Sequence, residues 1–377
     1  MDSCASTFLS FPLNLRRGNT FPNSHSLQKQ PNIPTKFIWP KQDLVHAQEE
    51  LKEPLVDLAG FFRGDKKATR HAAELVREAC AAHGCFQVIN HGVDHGLISA
   101  AHAQMEAFFK LPLNVKQRAG RKPGSMWGYS GAHADRFSLK LPWKETLSFG
   151  FHDDESDAVV VDYFKSSLGS DFEQAGRVYQ RYCEAMKELA LSIMEIIALS
   201  LGVERMHYKE FFEDSKSIMR CNYYPRCDEP GFAFGTGPHC DPTSLTILHQ
   251  DQVGGLEVFA DNKWHSVQPR ADALVINIGD TFTALCNGRY KSCLHRAVVN
   301  RYKERRSLAF FLCPRENKVV RPPEDLVCRE RPRQYPDFTW SDLLRFTQNH
   351  YRADDTTLHN FTNWFLSSSS PNSSLSH

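Results

Sequence analysis

From Ile218 to Pro314 the chain is cut into short apolar stretches, each too brief for an ordinary helix and most bounded by turn residues. They read IMRCNYYP, SLTILHQD, GLEVF, WHSV, ALVINIG, LHRAVVN and SLAFFLCP. Runs of this length rich in Val, Ile, Phe and Tyr are strands, and so many at close spacing fit a β-sandwich or barrel rather than a parallel sheet wound with helices. Asp261-Asn262, between GLEVF and WHSV, is placed as a hairpin turn. No internal repeat is present.

Upstream the period lengthens. Ala68 to His83 carries apolar and Ala positions at helical spacing, stopped by Gly84. CFQVINHG alternates Phe86, Val88 and Asn90 against Gln87, Ile89 and His91, a strand entering a turn at Gly92. Asp94 to Lys110 is helical again, and Pro112, Pro123, Gly124, Gly128 and Gly131 break the next stretch into loops. Asp171 to Leu201 is the longest helical pattern, with Val178, Tyr182, Met186, Leu189, Ile193 and Ile197 on one face. Thr339 and Asp342 form a capping-box pattern before a last helix, DLLRFTQNHY. The expected fold is mixed α+β, a helix-rich N-terminal half framing a β-rich C-terminal half.

Lys plus Arg number 45 and Asp plus Glu 44, a formal charge of +1. Such a balance gives no long-range field for nucleic acid or an acidic membrane, and a charge run such as RYKERR (residues 301–306) is usually a solvated face. The 11 cysteines include no C-x-x-C pair. Free thiols in a reducing compartment, the cytoplasm, are expected, and Asn360-Phe361-Thr362 is set aside as a chance glycosylation pattern. No apolar run approaches the ~20 residues that span a bilayer. The first ~35 residues, rich in Ser, Asn and Pro with Arg16 and Arg17, are weighed as a plastid transit peptide and read instead as a disordered tail. With no coiled-coil pattern, a monomer is expected.

His239 and Asp241 stand two residues apart in GPHCDPTSLTILHQD. In an extended strand such residues share a face, so an imidazole and a carboxylate look into one space. A metal site there needs a further ligand. His249 shares their parity, but eight residues of strand put it roughly 26 Å from Asp241. His265 follows Trp264 in an expected exposed hairpin, and both are read as structural or surface residues. His295, on an apolar strand far enough downstream for the chain to return, is the third ligand. Two His and one carboxylate suit a non-haem Fe(II) oxygenase. Zinc can use the same set, but the H-E-x-x-H pattern of zinc proteases is absent.

Arg305 and Ser307 share a face directly before SLAFFLCP, a guanidinium and a hydroxyl suited to a carboxylate. Asn222 and Tyr224 form a third such pair. Each pair alone fits a surface salt bridge or a tyrosine packing its ring. Together they suit a dicarboxylic keto acid that chelates a metal at one end and meets Arg305 at the other.

With these residues the sequence resembles the plant 2-oxoglutarate and Fe(II)-dependent dioxygenases, over the stretch from about Pro54 to Arg352, with GCFQVINHG marking the N-terminal region. The pattern H-x-D…H…R-x-S falls on His239, Asp241, His295, Arg305 and Ser307, and N-x-Y-P on Asn222 and Tyr224. The resemblance implies a double-stranded β-helix, or jelly roll, with Fe(II) held by His239, Asp241 and His295. It implies 2-oxoglutarate bound by Arg305, Ser307, Tyr224 and Asn222, O₂ as cosubstrate, and ascorbate as reductant. The implied division is a variable tail over 1–50, a helix-rich N-terminal region over 51–213 and the jelly-roll domain over 214–314. A helical segment over 315–366 and a tail over 367–377 complete it.

LPWKETLSF (Leu141 to Phe149), FIWP, NGRYKSCLHRAVVN and SLAFFLCP narrow the resemblance to the branch that oxidises carbon 20 of gibberellin precursors. The implied sequence is methyl to alcohol to aldehyde to loss, leaving nineteen-carbon products of a diterpenoid substrate. Arg226, where the pattern has a second proline, is a departure outside the ligand set. Trp143 is expected as pocket wall and Lys144 as the cation for a substrate carboxylate; the opposing reading makes Trp143 core and Lys144 solvent-exposed. Three alternatives stand beside this one: a dioxygenase acting on a flavonoid or other small molecule, a non-catalytic jelly-roll binding protein, and a zinc hydrolase.

Overall fold

Thirteen strands build two sheets in the computed structural model, which describes residues 33–122, 125–132, 140–152, 158–349 and 356–368. In chain order they are β1 (Glu49–Glu50), β2 (Leu55–Asp57), β3 (Cys85–Ile89), β4 (Gly128–Gly131), β5 (Glu145–Phe151), β6 (Lys216–Tyr224) and β7 (Phe234–His239). They continue as β8 (Leu245–Gln250), β9 (Leu256–Ala260), β10 (Lys263–Ser266), β11 (Leu274–Ile278), β12 (His295–Val298) and β13 (Arg305–Cys313). From β6 onward the chain steps between sheets. β6, β8, β11 and β13 join the larger, ordered β2-β3-β11-β8-β13-β6-β5-β4, while β7, β9, β10 and β12 join the smaller, ordered β1-β10-β9-β12-β7. This is the double-stranded β-helix.

Two registers position the functional side chains. β13 runs antiparallel to β6 with Arg305 opposite Tyr224 and Ser307 opposite Asn222. β12 runs antiparallel to β7 with His295 opposite His239. The β9–β10 hairpin turns at Asp261 (φ 50°) and Asn262 (φ 60°). Both are left-handed, as the tight turn matching strand twist requires.

Helices pack outside this frame. The helix Lys66–Ala82 is capped by Asp65, whose carboxylate accepts from the amides of Lys67 (2.8 Å) and Ala68 (3.1 Å). Asp94 caps His95–Lys110 through the amide of Leu97 at 2.7 Å. The 29-residue helix Glu173–Leu201 ends on Gly202 in the left-handed conformation and lies against β8 and β13. Before Trp340–Asn349, the Thr339 amide donates to the Asp342 carboxylate (2.9 Å) and the Asp342 amide to the Thr339 hydroxyl (3.3 Å), the reciprocal cap. Among the described residues no helix is long and apolar enough to cross a membrane.

The helix-rich N-terminal half also carries β2 to β5, which extend the larger sheet at both ends. β5, inside the LPWKETLSF stretch, escaped notice because its side chains are buried almost throughout and show no alternation. β3 and β8 are likewise enclosed on both faces, so burial does not alternate along them either. Residues 33–50, assigned to the tail, instead form the turns Thr35–Phe37 and Lys41–Asp43 and the strand β1. Phe37 and Trp39 are buried there because the segment folds over the smaller sheet, with the Trp39 amide bonded to the Phe232 carbonyl at 2.9 Å. A Cβ on Gly237 would lie 2.3 Å from the Trp39 ring, so only glycine admits this contact. Residues 1–32 and 369–377 of the expected tails lie outside the described residues.

Candidate active site

β7 and β12 bring two imidazoles together. The rings of His239 and His295 lie 4.2 Å apart between centroids. Asp241 stands just past the end of β7 rather than on it, a correction to the same-face reading, and the bend after His239 still turns its carboxylate inward. Asp241 Oδ1 is 3.6 Å from His239 Nε2, and Oδ2 is 3.9 Å from His295 Nε2. One ligand atom from each residue lies within 4.8 Å of the others, and among the described residues this is the one cluster of three that could hold a metal ion.

Backbone geometry prepares both rings in the same way. His239 Nδ1 meets the Gly237 carbonyl at 2.9 Å, and His295 Nδ1 meets the Cys293 carbonyl at 2.9 Å. A carbonyl only accepts, so Nδ1 carries the hydrogen and Nε2 is the nitrogen turned toward the cluster. Burial, then the neighbouring His295, lowers His239 to about 3, so its ring is neutral at physiological pH. Burial opposes the Asp241 carboxylate, but His295, His239 and the Thr246 hydroxyl outweigh it and hold the carboxyl below its ordinary value. Thr246 Oγ1 donates to Asp241 Oδ2 at 2.6 Å. Two ring nitrogens and one carboxylate fit a divalent ion with open positions.

The cross-strand registers of β6 and β13 form the second wall. Arg305 donates to Gln250 Oε1 at 2.9 Å and lies 5.0 Å from the centre of the Tyr224 ring. Asn222 Nδ2 donates to Ser307 Oγ at 3.3 Å. A Cβ on Gly235 would sit 2.5 Å from that tyrosine ring, so glycine there gives Tyr224 its seat. Arg305 Nε and Asn222 Oδ1 are buried with no hydrogen-bond partner, which suits a wall completed by a ligand. The triad, Asn222, Tyr224, Arg305 and Ser307 line one cavity.

Lys144 lines the same cavity. It is 6% exposed and donates to Thr236 Oγ1 at 3.0 Å. Trp143 points elsewhere, into a separate small core with Phe37, Leu141 and Val299, its indole donating to the Arg226 carbonyl at 3.4 Å. Two motifs of the sequence thus pack on each other, FIWP through Phe37 and LPWKET through Trp143, at 5.1 Å edge to face. The bond at Arg226 uses its carbonyl, so replacement of proline there leaves it intact. His249 lies outside the triad in a half-buried 2.7 Å contact with His102. His265 is buried rather than exposed, because residues 49–50 pair alongside β10.

Sequence reasoning missed Thr246, Thr236, Gln250 and Arg220. Arg220 alone carried a legible signal, since it stands at i−2 from Asn222 on β6. The other three approach only through cross-strand packing.

Residues 215–314 match the 2OG-Fe(II) oxygenase superfamily, and residues 54–166 match the family described as non-haem dioxygenase in morphine synthesis N-terminal. Gibberellin 20 oxidase 2 of Oryza sativa subsp. japonica is 62% identical over 339 residues, covering 90% of this chain and 86% of the relative. Gibberellin 20 oxidase 2 of Arabidopsis thaliana is 53% identical, covering 95% of each. Among solved structures, JOX2 in complex with 2OG, Fe and JA superposes with a TM-score of 0.79 at 30% identity, covering 91% of this chain and 98% of that one.

Proposed function

Because the chain belongs to the 2OG-Fe(II) oxygenase superfamily, we infer that it is an Fe(II)- and 2-oxoglutarate-dependent dioxygenase working as a gibberellin 20-oxidase. The observation that carries the chemistry is the meeting of the His239–Asp241–His295 triad with Arg305, Ser307, Asn222 and Tyr224 in one cavity. Identity of 53–62% to gibberellin 20 oxidases over most of the chain supports the substrate. Carbon 20 of a twenty-carbon precursor is oxidised from methyl to alcohol to aldehyde and then lost.

His239, Asp241 and His295 hold the ferrous ion, with Nε2 of each ring as donor and the Gly237 and Cys293 carbonyls fixing ring orientation. When bound, iron and 2-oxoglutarate supply the oxidation of the substrate carbon by O₂, with succinate and CO₂ as coproducts. Arg305 and Ser307 take the far carboxylate of 2-oxoglutarate, and Asn222 and Tyr224 frame it. Lys144, buried and facing the cavity, meets a carboxylate of the gibberellin. Trp143 packs in the small core with Phe37 rather than forming wall. Burial of the cavity keeps water from the reacting carbon.

Ascorbate is the reductant that maintains ferrous iron. A cytoplasmic monomer fits the free cysteines of the described residues and the near-zero net charge. Purified protein with Fe(II), ascorbate, 2-oxoglutarate and either a twenty-carbon gibberellin or a flavanone tests the assignment. Succinate coupled to loss of carbon 20 is expected; coupled oxidation of the flavanone alone would keep the iron chemistry and overturn the substrate.

A further inference from the structure

Trp39, of the FIWP stretch, and Arg296 stand outside the cavity, yet each packs on a strand that carries a metal-ligand imidazole inside it. The buried Trp39 ring lies against Gly237, where an added Cβ would come within 2.3 Å of it. The Gly237 carbonyl is the group that holds His239 Nδ1 at 2.9 Å. Arg296 follows His295 on β12, and neighbours on a strand face opposite ways, so its side chain leaves the outer face. There Nε donates to Glu257 Oε2 at 2.6 Å, and the other two nitrogens donate to the carbonyls of Asp43, at 3.2 Å, and of Val45. The guanidinium also rests 4.8 Å from the centre of the Phe234 ring, which meets Trp39 edge to face at 5.0 Å. A packed row thus runs from β12 through residues 39–45 to the backbone just before His239.

At that point β7 is poorly held by its own sheet. Between the His295–His239 pair and the Ala297–Thr236 pair the register slips, two steps along β12 matching three along β7. The longer stretch contains Pro238, which has no amide hydrogen to complete a rung, and Gly237, which has no side chain to pack. A slip of this kind leaves a residue unpaired and the ladder locally weakened. The orientation of the His239 ring therefore depends on a carbonyl in a loosely paired peptide, and the Trp39 ring holds that peptide from outside. Among the described residues nothing bonds the Trp39 indole nitrogen, so the ring acts by packing alone.

We propose that Trp39 is a positioning residue for the metal centre: packed on Gly237, it sets the carbonyl that aims the His239 ring, and Arg296 anchors the segment that carries it. Residues 33–50 then shape the metal site as well as covering the smaller sheet. The proposal rests on the reading of His239, Asp241 and His295 as metal ligands, and adds to it a residue from the far end of the chain.

Titrating the full-length, metal-free protein with Co(II) against a competing chelator tests this without turnover, and the visible ligand-field bands of bound Co(II) report how the imidazoles are aimed. Trp39→Ala should weaken Co(II) binding about tenfold and alter those bands, the lower end of what losing a ligand's supporting contact costs. Trp39→Phe, which keeps a ring on Gly237, should recover most of both. Phe37→Leu is the control, because Phe37 belongs to the same segment but packs on Trp143 at 5.1 Å. It should lower the melting temperature and leave affinity and bands unchanged. A Trp39→Ala protein with a lowered melting temperature but wild-type affinity and bands would make the ring a structural prop, and the proposal would fall. Equal losses of affinity in Phe37→Leu would assign the effect to general loosening of the segment and overturn the role of Trp39. If Trp39→Ala does not fold, Trp39→Leu carries the comparison on the same terms. A wild type that binds no Co(II) removes the metal reading itself and the positioning role with it, whereas wild-type binding that no Trp39 variant disturbs removes the positioning role alone.

Discussion

The two walls of the cavity differ in how complete they are on their own. On the side of β7 and β12, each imidazole is held by a carbonyl two residues before it, and Asp241 is held by Thr246. On the side of β6 and β13, Arg305 Nε and Asn222 Oδ1 are buried without partners. The first wall is preorganised by local backbone geometry, and metal entry finds its donors already aimed. The second carries polar groups whose desolvation is offset only when a ligand arrives. Removing a side chain from the first should therefore cost function, whereas on the second it should cost function and relieve the empty protein.

The sharpest break of that contrast comes from Asp241→Ala. With one of three ligands gone, several kcal/mol of metal-derived stabilisation disappears, and turnover should fall on the order of 10³-fold or more, alongside loss of bound iron by elemental analysis. Retained iron with normal turnover would remove Asp241 from the ligand set. Next is Arg305→Leu. The KM for 2-oxoglutarate should rise roughly 10- to 100-fold while the melting temperature of the ligand-free protein holds steady or climbs. A marked drop in that temperature would mean that Arg305 supports the fold and the second wall is not a strained one.

A milder change is Thr246→Val, which strips one hydrogen bond from Asp241 at nearly constant volume. Iron affinity should weaken by about tenfold or somewhat more, read by competition with a chelator. An unaltered affinity would show that the bend after β7 alone positions the carboxylate.

The smallest expected effect lies away from both walls, at the half-buried His102–His249 pair. Burial, then His249, lowers His102 to about 3, and burial, then His95, lowers His91 to about 4, against an ordinary value of 6.5. The unfolded chain therefore binds more protons than the folded one between those limits. Stability is complete above about pH 6.5 and declines as pH falls toward 3. Urea titrations at pH 7 and pH 5 should show the decline, and His102→Gln should flatten it. An equal slope in that variant would assign the effect to other groups.

Legibility in the sequence followed the range of the interaction. Arg305 and Ser307, and Asn222 and Tyr224, are i, i+2 pairs on strands, so strand geometry put each pair together, whereas His239 and Asp241 share the i, i+2 spacing but meet through the turn past the end of β7. His295 came from the need for a further ligand, and its place opposite His239 had to await the register of β12 on β7. Trp143 and Lys144 are neighbours in sequence and opposites in space, one in the small core with Phe37 and one in the cavity. Adjacent residues on an extended chain face opposite ways, but which way is inward depends on what packs against β5.

The sequence alone determined the short strands of the C-terminal half, the helix ends marked by Gly84, Asp94, Leu201 and Thr339, and three polar pairs with a chemistry that suits iron and a dicarboxylate. These depend on backbone periods and on groups a few residues apart. Tertiary structure alone decided that residues 33–50 fold onto the smaller sheet, that β2 to β5 extend the larger one, that Thr236 and Thr246 reach the cavity, and that Gln250 meets Arg305. Each of those outcomes requires strands far apart in the chain to settle into register, and a side chain's partners across a sheet are fixed by that register rather than by its sequence neighbours.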